Sequence, residues 1–219
     1  MRTHLAFLAI LVGYLVVASL YAFYTPDWQA PDEPAHYNYI RQLAAGALPV
    51  MEVGDYDQAY QNEVIGSRFD PTYSIESFEY EDYQPPLYYL LATPVYVLFS
   101  AELSAVRLVS VLLGAIVVTC AYAIGLHLFP KQPWFALTMA AFVAFLPQHV
   151  AMLASVNNDS LTEALIAVML LILVRSFTSS PPELTRRQLL LLGVLLGLGF
   201  LTKVTVYLMG PVIAVALLL

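Results

Sequence analysis

Asp32 and Glu33, followed by His36, stand just past the first long apolar run of the chain. A carboxylate can take a proton from an attacking hydroxyl, and an imidazole can position or share that proton. Two other places carry charge where an apolar chain rarely tolerates it. Lys203 lies between two apolar runs, and an uncompensated charge at the centre of a spanning helix costs about 2.5–3.5 kcal/mol. Asn157, Asn158 and Asp159 form a polar turn between two further runs, and Arg107 opens another. Each residue also has a plainer use. Asp32 or Glu33 can cap a helix, as Asp159 can with Glu163 nearby. His36 can be a surface residue, and Arg107 and Lys203 can snorkel to an interface.

The local sequence sets how these groups are held. Ala30-Pro-Asp-Glu-Pro-Ala-His-Tyr reads as a helix start, with Pro34 in the first turn, where its missing N–H costs nothing. The helix is expected over about 33–45, with Gly46 as its stop. Asp32 and His36 then share a face, as do Glu33 and Tyr37. Tyr39, Ile40, Leu43 and Ala44 form an apolar side suited to resting on a membrane. Further on, Tyr56, Tyr60, Tyr73, Tyr80 and Tyr83 can stack on sugar rings or sit in an interface.

The composition requires a bilayer. The chain has 219 residues, 60% of them hydrophobic and 11% charged, against roughly 25% charged in soluble domains. The formal charge of -7 is concentrated, because thirteen of the 16 acidic residues lie between Asp27 and Glu102, among only two basic ones, Arg41 and Arg68. This acidity argues against a nucleic-acid partner. No EF-hand spacing is present. Cys120 is the single cysteine, inside an apolar run, so no intramolecular disulfide can form. Arg2 and the run that follows share features with a signal peptide, but the run continues to Tyr24, about 20 residues, the length of a full crossing.

The apolar runs predict an all-α membrane protein, a polytopic transmembrane helix bundle with a large first extracytoplasmic loop carrying juxtamembrane helices. The first span is 1–24 (apolar over 4–24), and the loop covers 25–103. The bundle covers 104–219, with spans near 104–129, 134–155, 160–177, 187–202 and 204–219. Segment 85–100 decides the sidedness. Laid flat on the outer surface, it leaves Arg2, Lys131, Arg175, Arg186 and Arg187 all in the cytoplasm, as the positive-inside rule asks. Pro85-Pro86 opens it and Pro94 interrupts it. Within 134–155, Pro147, Gln148 and His149 suggest a kink with a structural hydrogen bond from His149. The run 204–219 ends without a polar flank, so the sequence reads as the front part of a longer protein in the plasma (inner) membrane, N-terminus cytoplasmic.

Several segments together resemble the GT-C membrane glycosyltransferases. They are Pro31-Asp-Glu-Pro-Ala-His beyond the first span, Gln84-Pro-Pro-Leu-Tyr-Tyr before the surface helix, Ala105-Val-Arg-Leu-Val-Ser, Asn158-Asp159 and Gly199-Phe-Leu-Thr-Lys203. The nearest likeness is to bacterial relatives of protein O-mannosyltransferases and aminoarabinose transferases. The resemblance implies sugar transfer from a polyprenyl-phosphate donor to a lipid, glycan or protein acceptor on the outer face. It places the base at Asp32, with Glu33 beside it. Asp159 would help position acceptor, donor or metal, with Asn158 and His36 as further substrate contacts, and Lys203 would contact the carrier-lipid phosphate. Arg107 could add positive charge. Asp32, Glu33 and Asp159 are the candidates for a divalent metal ion, though Asp32-Glu33 is not the Asp-x-Asp pair of metal-dependent members. The alternative reading is a non-catalytic transporter or scaffold of a cell-envelope glycan pathway. No internal symmetry of the transporter kind is present.

Overall fold

A computed structural model describes residues 2–218, and every regular element among them is helical. α1 (Arg2–Tyr24) leads into a loop region that holds α2 (Glu33–Ala44), α3 (Gln58–Gly66) and α4 (Leu87–Leu98). There follow α5 (Leu103–Leu128), α6 (Trp134–Phe145), α7 (Pro147–Leu153), α8 (Asp159–Phe177) and α9 (Arg186–Phe200). A 3-10 turn (Val204–Leu208) and α10 (Met209–Leu218) complete the described chain. α1, α5 and α8 are long and apolar enough to cross a membrane, and α6 with α7 makes a fourth if the bent pair is one span. α9 has 15 residues and reaches about 22 Å, short of a roughly 30 Å hydrocarbon core. The crossings expected at 187–202 and 204–219 therefore rest on sequence, not on helix length.

α1, α5, α6 and α7 share one core, built on small residues: Ala18, Ala22, Ala136, Ala140 and Ala144 are all buried there. Lipid tails are as apolar as leucine, so close packing rather than water exclusion joins such helices. Gly125 shows how close α5 and α6 come, since a Cβ there would lie 2.6 Å from the Ala136 Cα. Gly125→Ala is therefore expected to destabilise the protein by about 1–3 kcal/mol, read as a lower Tm in detergent. An unchanged Tm would mean that the α5–α6 seam can open at no cost.

The expected kink in the third apolar segment is a 64° bend between α6 and α7. Pro147 has no N–H to give the Val143 carbonyl, and it holds Leu146 extended. His149 Nδ1 takes over, 3.0 Å from that carbonyl oxygen, while Nε2 lies 2.7 Å from Glu163. The bend thus leaves no orphaned carbonyl at its inner edge.

In the loop, α2 ends as expected. Gly46 takes a φ of 84°, and the amides of Gly46 and Ala47 bond back to Leu43 and Gln42. Two local expectations fail. Asp32 does not cap α2 with its side chain, because its backbone is left-handed (φ 58°, ψ 2°) rather than extended, which turns the carboxylate away from the first-turn amides. The apolar side of α2 does not rest on lipid. Tyr39 and Ile40 are buried, and the Tyr39 ring stacks on Tyr89 of α4 at 3.8 Å. Both ends of α4 are fastened to α2, with Tyr39 Oη donating to the Gln84 carbonyl and Tyr37 Oη to that of Ala101. α4 therefore lies along α2 rather than leading away from it. α3 was not legible as a helix. It starts on Asp57, whose Oδ1 accepts from the amides of Ala59 and Tyr60.

Candidate active site

The site forms where six elements meet at one end of the bundle: the end of α1, the starts of α2, α4, α5 and α8, and the end of α9. Arg107, on α5, ties it to α1 and α2. Its guanidinium forks onto Glu33, Nε to Oε1 at 2.8 Å and Nη2 to Oε2 at 2.6 Å. Nη1 donates to the carbonyls of Ala22 and Thr25 at 3.0 and 2.8 Å, and Nη2 to Pro26 at 3.2 Å. All five guanidinium N–H groups are thus used, three of them on carbonyls at and just beyond the C-terminus of α1, where a helix needs donors. Glu33 also accepts the Val156 amide at 3.0 Å, which binds in the turn between α7 and α8. Both side chains are buried, Glu33 fully and Arg107 to 1% exposure. Buried to this degree, neither side chain is open to a substrate.

Asp32, the neighbour of Glu33, is free of this knot. It is exposed, and its Oδ1 accepts a hydrogen bond from Tyr80 Oη at 2.9 Å. Its left-handed backbone is tolerated in aspartate more readily than in most residues but is still strained.

The third part is the pair Lys203–Asp159. Lys203 Nζ lies 2.7 Å from Asp159 Oδ1, so the charge between two apolar runs has a counter-ion. Its side chain keeps 19% exposure and Asp159 keeps 41%. One of three ammonium donors is used. Asn158 is fully buried beside the pair, and its Nδ2 joins Gln84 Oε1 at 3.1 Å to the Thr202 carbonyl at 3.2 Å. Its Oδ1 has no partner, which marks an unfilled acceptor beside Lys203. The backbone of Leu87 donates to the Leu201 carbonyl at 2.9 Å, so α4 and the end of α9 close on each other here.

Residues 79–84 lie between the two parts; the sequence marks Tyr80, Tyr83 and Gln84 but not Glu79, Glu81 or Asp82 as site residues. Tyr80 holds Asp32, and Glu81 accepts from Gln84 Nε2 at 2.7 Å. Burial raises the Glu81 carboxyl above its ordinary range, helped by the charges of Asp32 and Asp159 and opposed by the Gln84 bond and Lys203. Asp82, bonded to Gln42, is pushed up to about 6, chiefly by burial. The signal available was Glu79-Tyr-Glu-Asp-Tyr-Gln immediately before Pro85-Pro86, acidic residues pinned against a helix start.

His36 is buried, with Nδ1 2.8 Å from Tyr89 Oη. Desolvation, reinforced by the charge of Lys203, lowers its pKa to about 3, so the ring is neutral under working conditions. The unfolded chain would bind a proton near pH 6.5 and the folded chain would not, so this group withdraws stability as pH falls from about 6.5 towards 3. Asp82 acts in the opposite sense between its unfolded value and about 6. His36→Gln is therefore expected to flatten the wild-type loss of stability below pH 6.5 by one proton's worth of slope, read from Tm against pH. Parallel curves for the two proteins would show that the ring is protonated in place.

The three proposed metal candidates do not form one ligand set. Glu33 is buried and paired with Arg107, Asp32 faces Tyr80 and Asp159 faces Lys203. Among the described residues no group of three His, Cys, Asp or Glu side chains could hold a metal ion.

The fold and site define a helical membrane protein with charged side chains gathered where its loop meets the bundle. The profile of one family, dolichyl-phosphate-mannose-protein mannosyltransferase, matches residues 83–219, well over half of the chain. The chain belongs to that family. Gln84, Arg107, Asn158, Asp159 and Lys203 lie within the match, and Asp32, Glu33 and His36 lie before it. No curated protein and no solved structure matches the chain.

Proposed function

We propose that the chain transfers a sugar from a polyprenyl-phosphate-linked donor to an acceptor hydroxyl at the extracytoplasmic face of the inner membrane, with Asp32 as the base. The observation that carries this reading is the state of Asp32: exposed, without a side-chain capping bond, held by Tyr80, and near enough to Glu81 that its charge and those of Lys203 and Asp159 are all felt there. Asp32 takes the acceptor's proton as the acceptor oxygen bonds to the sugar's anomeric carbon. The bond from that carbon to phosphate breaks, and the carrier phosphate leaves with the electron pair. Lys203, with two free donors, stabilises the charge that develops there. Glu33 and Arg107 hold the elements in register without touching substrate. Arg2, Lys131, Arg175, Arg186 and Arg187 all sit at helix ends or loops away from this site, which supports placing the site outside.

The test is transfer of label from a polyprenyl-phosphate sugar by the purified protein in lipid. Transfer should be lost in Asp32→Ala while the protein remains folded. Undiminished transfer would remove Asp32 as the base.

A further inference from the structure

Beside Asp32, two cavities lie between the turn after α1 and the segment around the end of α3. One, of about 230 Å³, is lined by Asp32, Tyr80, Trp28, Gln29 and Phe69. The other, of about 350 Å³, shares Trp28, Gln29 and Phe69 and runs on to Asp27, Arg68 and Tyr73. The shared walls make them one groove with Asp32 at one end.

The groove is where the backbone is most strained. Among the described residues six non-glycine residues have positive φ, and four of them, Trp28, Asp32, Arg68 and Phe69, line it. Tryptophan and phenylalanine gain nothing locally from that conformation, and such strain persists only where the surrounding structure imposes it, most often at ligand sites. Gln29 Nε2 donates to the Arg68 carbonyl at 3.4 Å and links the two walls. The charged groups are also unspent. Arg41, the other cation of the loop, is paired with Glu76 and Glu79. Arg68 and Asp27 are exposed and enter no ion pair among the described residues.

We infer that this groove binds the acceptor and that the acceptor is a neutral saccharide, its hydroxyl delivered to Asp32. The inference rests on the transferase reading above. A sugar ring presents C–H faces, which pack on aromatic rings, and hydroxyls that both donate and accept. The groove offers both kinds of partner in balance: the rings of Trp28, Phe69 and Tyr73, a charged acceptor in Asp27, and donors in Arg68 and Gln29. A lipid acceptor would find too many unspent charges here.

Trp28 is its own reporter, because the chain has only two tryptophans. In Trp134→Phe protein, Trp28 emission is titrated with cellotriose and chitotriose. A saturable change is expected, weakened about tenfold by Arg68→Gln or Asp27→Asn for the loss of one charged hydrogen bond. Because both residues are exposed, neither substitution should lower the Tm. The inference is overturned if neither trisaccharide gives a saturable change, if both variants bind as tightly as the parent, or if only phospholipid vesicles or a Ser/Thr-rich peptide give the response. Asp32→Asn separates the two readings. Saccharide binding with transfer undiminished in Asp32→Asn would sink the base and keep the groove, and lost transfer without saccharide binding would do the reverse.

Discussion

Arg107→Ala is expected to lower stability by about 3–5 kcal/mol, enough to remove a large part of a typical folding free energy of 5–15 kcal/mol. The cost comes from what stays behind. Glu33 would remain fully buried with a charge and no counter-ion, and the carbonyls of Ala22, Thr25 and Pro26 would lose their donors. Glu33→Gln should be nearly as harmful from the other side. The amide can still accept from Val156, but Arg107 keeps an uncompensated charge. Arg107→Lys should not rescue, since three rotating donors cannot replace a planar fork of five. The diagnostic comparison is the double variant Glu33→Gln with Arg107→Met. With no orphan charge left, it should be less destabilised than the sum of the two single changes. Tm in detergent and folded yield read these four and the single change Arg107→Met that completes the comparison. A wild-type Tm in Arg107→Ala would show that this pair does not hold the loop to the bundle.

This pair also marks where sequence reading stopped. The elements themselves were legible: the apolar runs gave α1, α5 and α8 to within a few residues, and Pro85-Pro86 with Pro94 gave a short apolar helix of 12 residues. Partnership across the chain was not. Glu33 and Arg107 are 74 positions apart, and each has a self-sufficient local explanation, a helix cap and a snorkelling cation. Asp32 kept two readings, base and cap, for a related reason. Aspartate before Glu-Pro is a good N-cap by type, and only the backbone conformation shows that it is not one. Lys203 and Asp159 were each suspect because lone charges in apolar surroundings are costly, and the structure supplies each as the other's answer. Gln84 and Tyr80 carried no such cost, so the sequence marked them as a motif residue and an aromatic ring without pointing to Asn158 and Asp32 as their partners. Charge that must be compensated could be seen in advance, whereas neutral groups that do the compensating could not.

Asp32→Asn is expected to slow sugar transfer by about 10²–10⁴, the usual worth of a general base, with the Tm unchanged. Asparagine has the same shape, tolerates the left-handed backbone, and can still accept the Tyr80 hydroxyl on Oδ1. Only its ability to take a proton differs, so the loss belongs in kcat rather than in the acceptor's KM. Asp32→Gly sharpens the point. Glycine relieves a strain of about 1–2 kcal/mol in the left-handed region, and Tyr80 can turn to water, so the protein should be at least as stable as the parent while transfer is equally lost. A residue kept for capping would behave in the opposite way, costing stability when removed and leaving chemistry alone. Glu81 is the rival base, close enough to feel the charge of Asp32, but its carboxylate is engaged by Gln84. Glu81→Gln should therefore cost far less transfer than Asp32→Asn. The reverse ranking would move the proton acceptor from the start of α2 to the segment before α4, while leaving the lysine and the direction of the reaction in place.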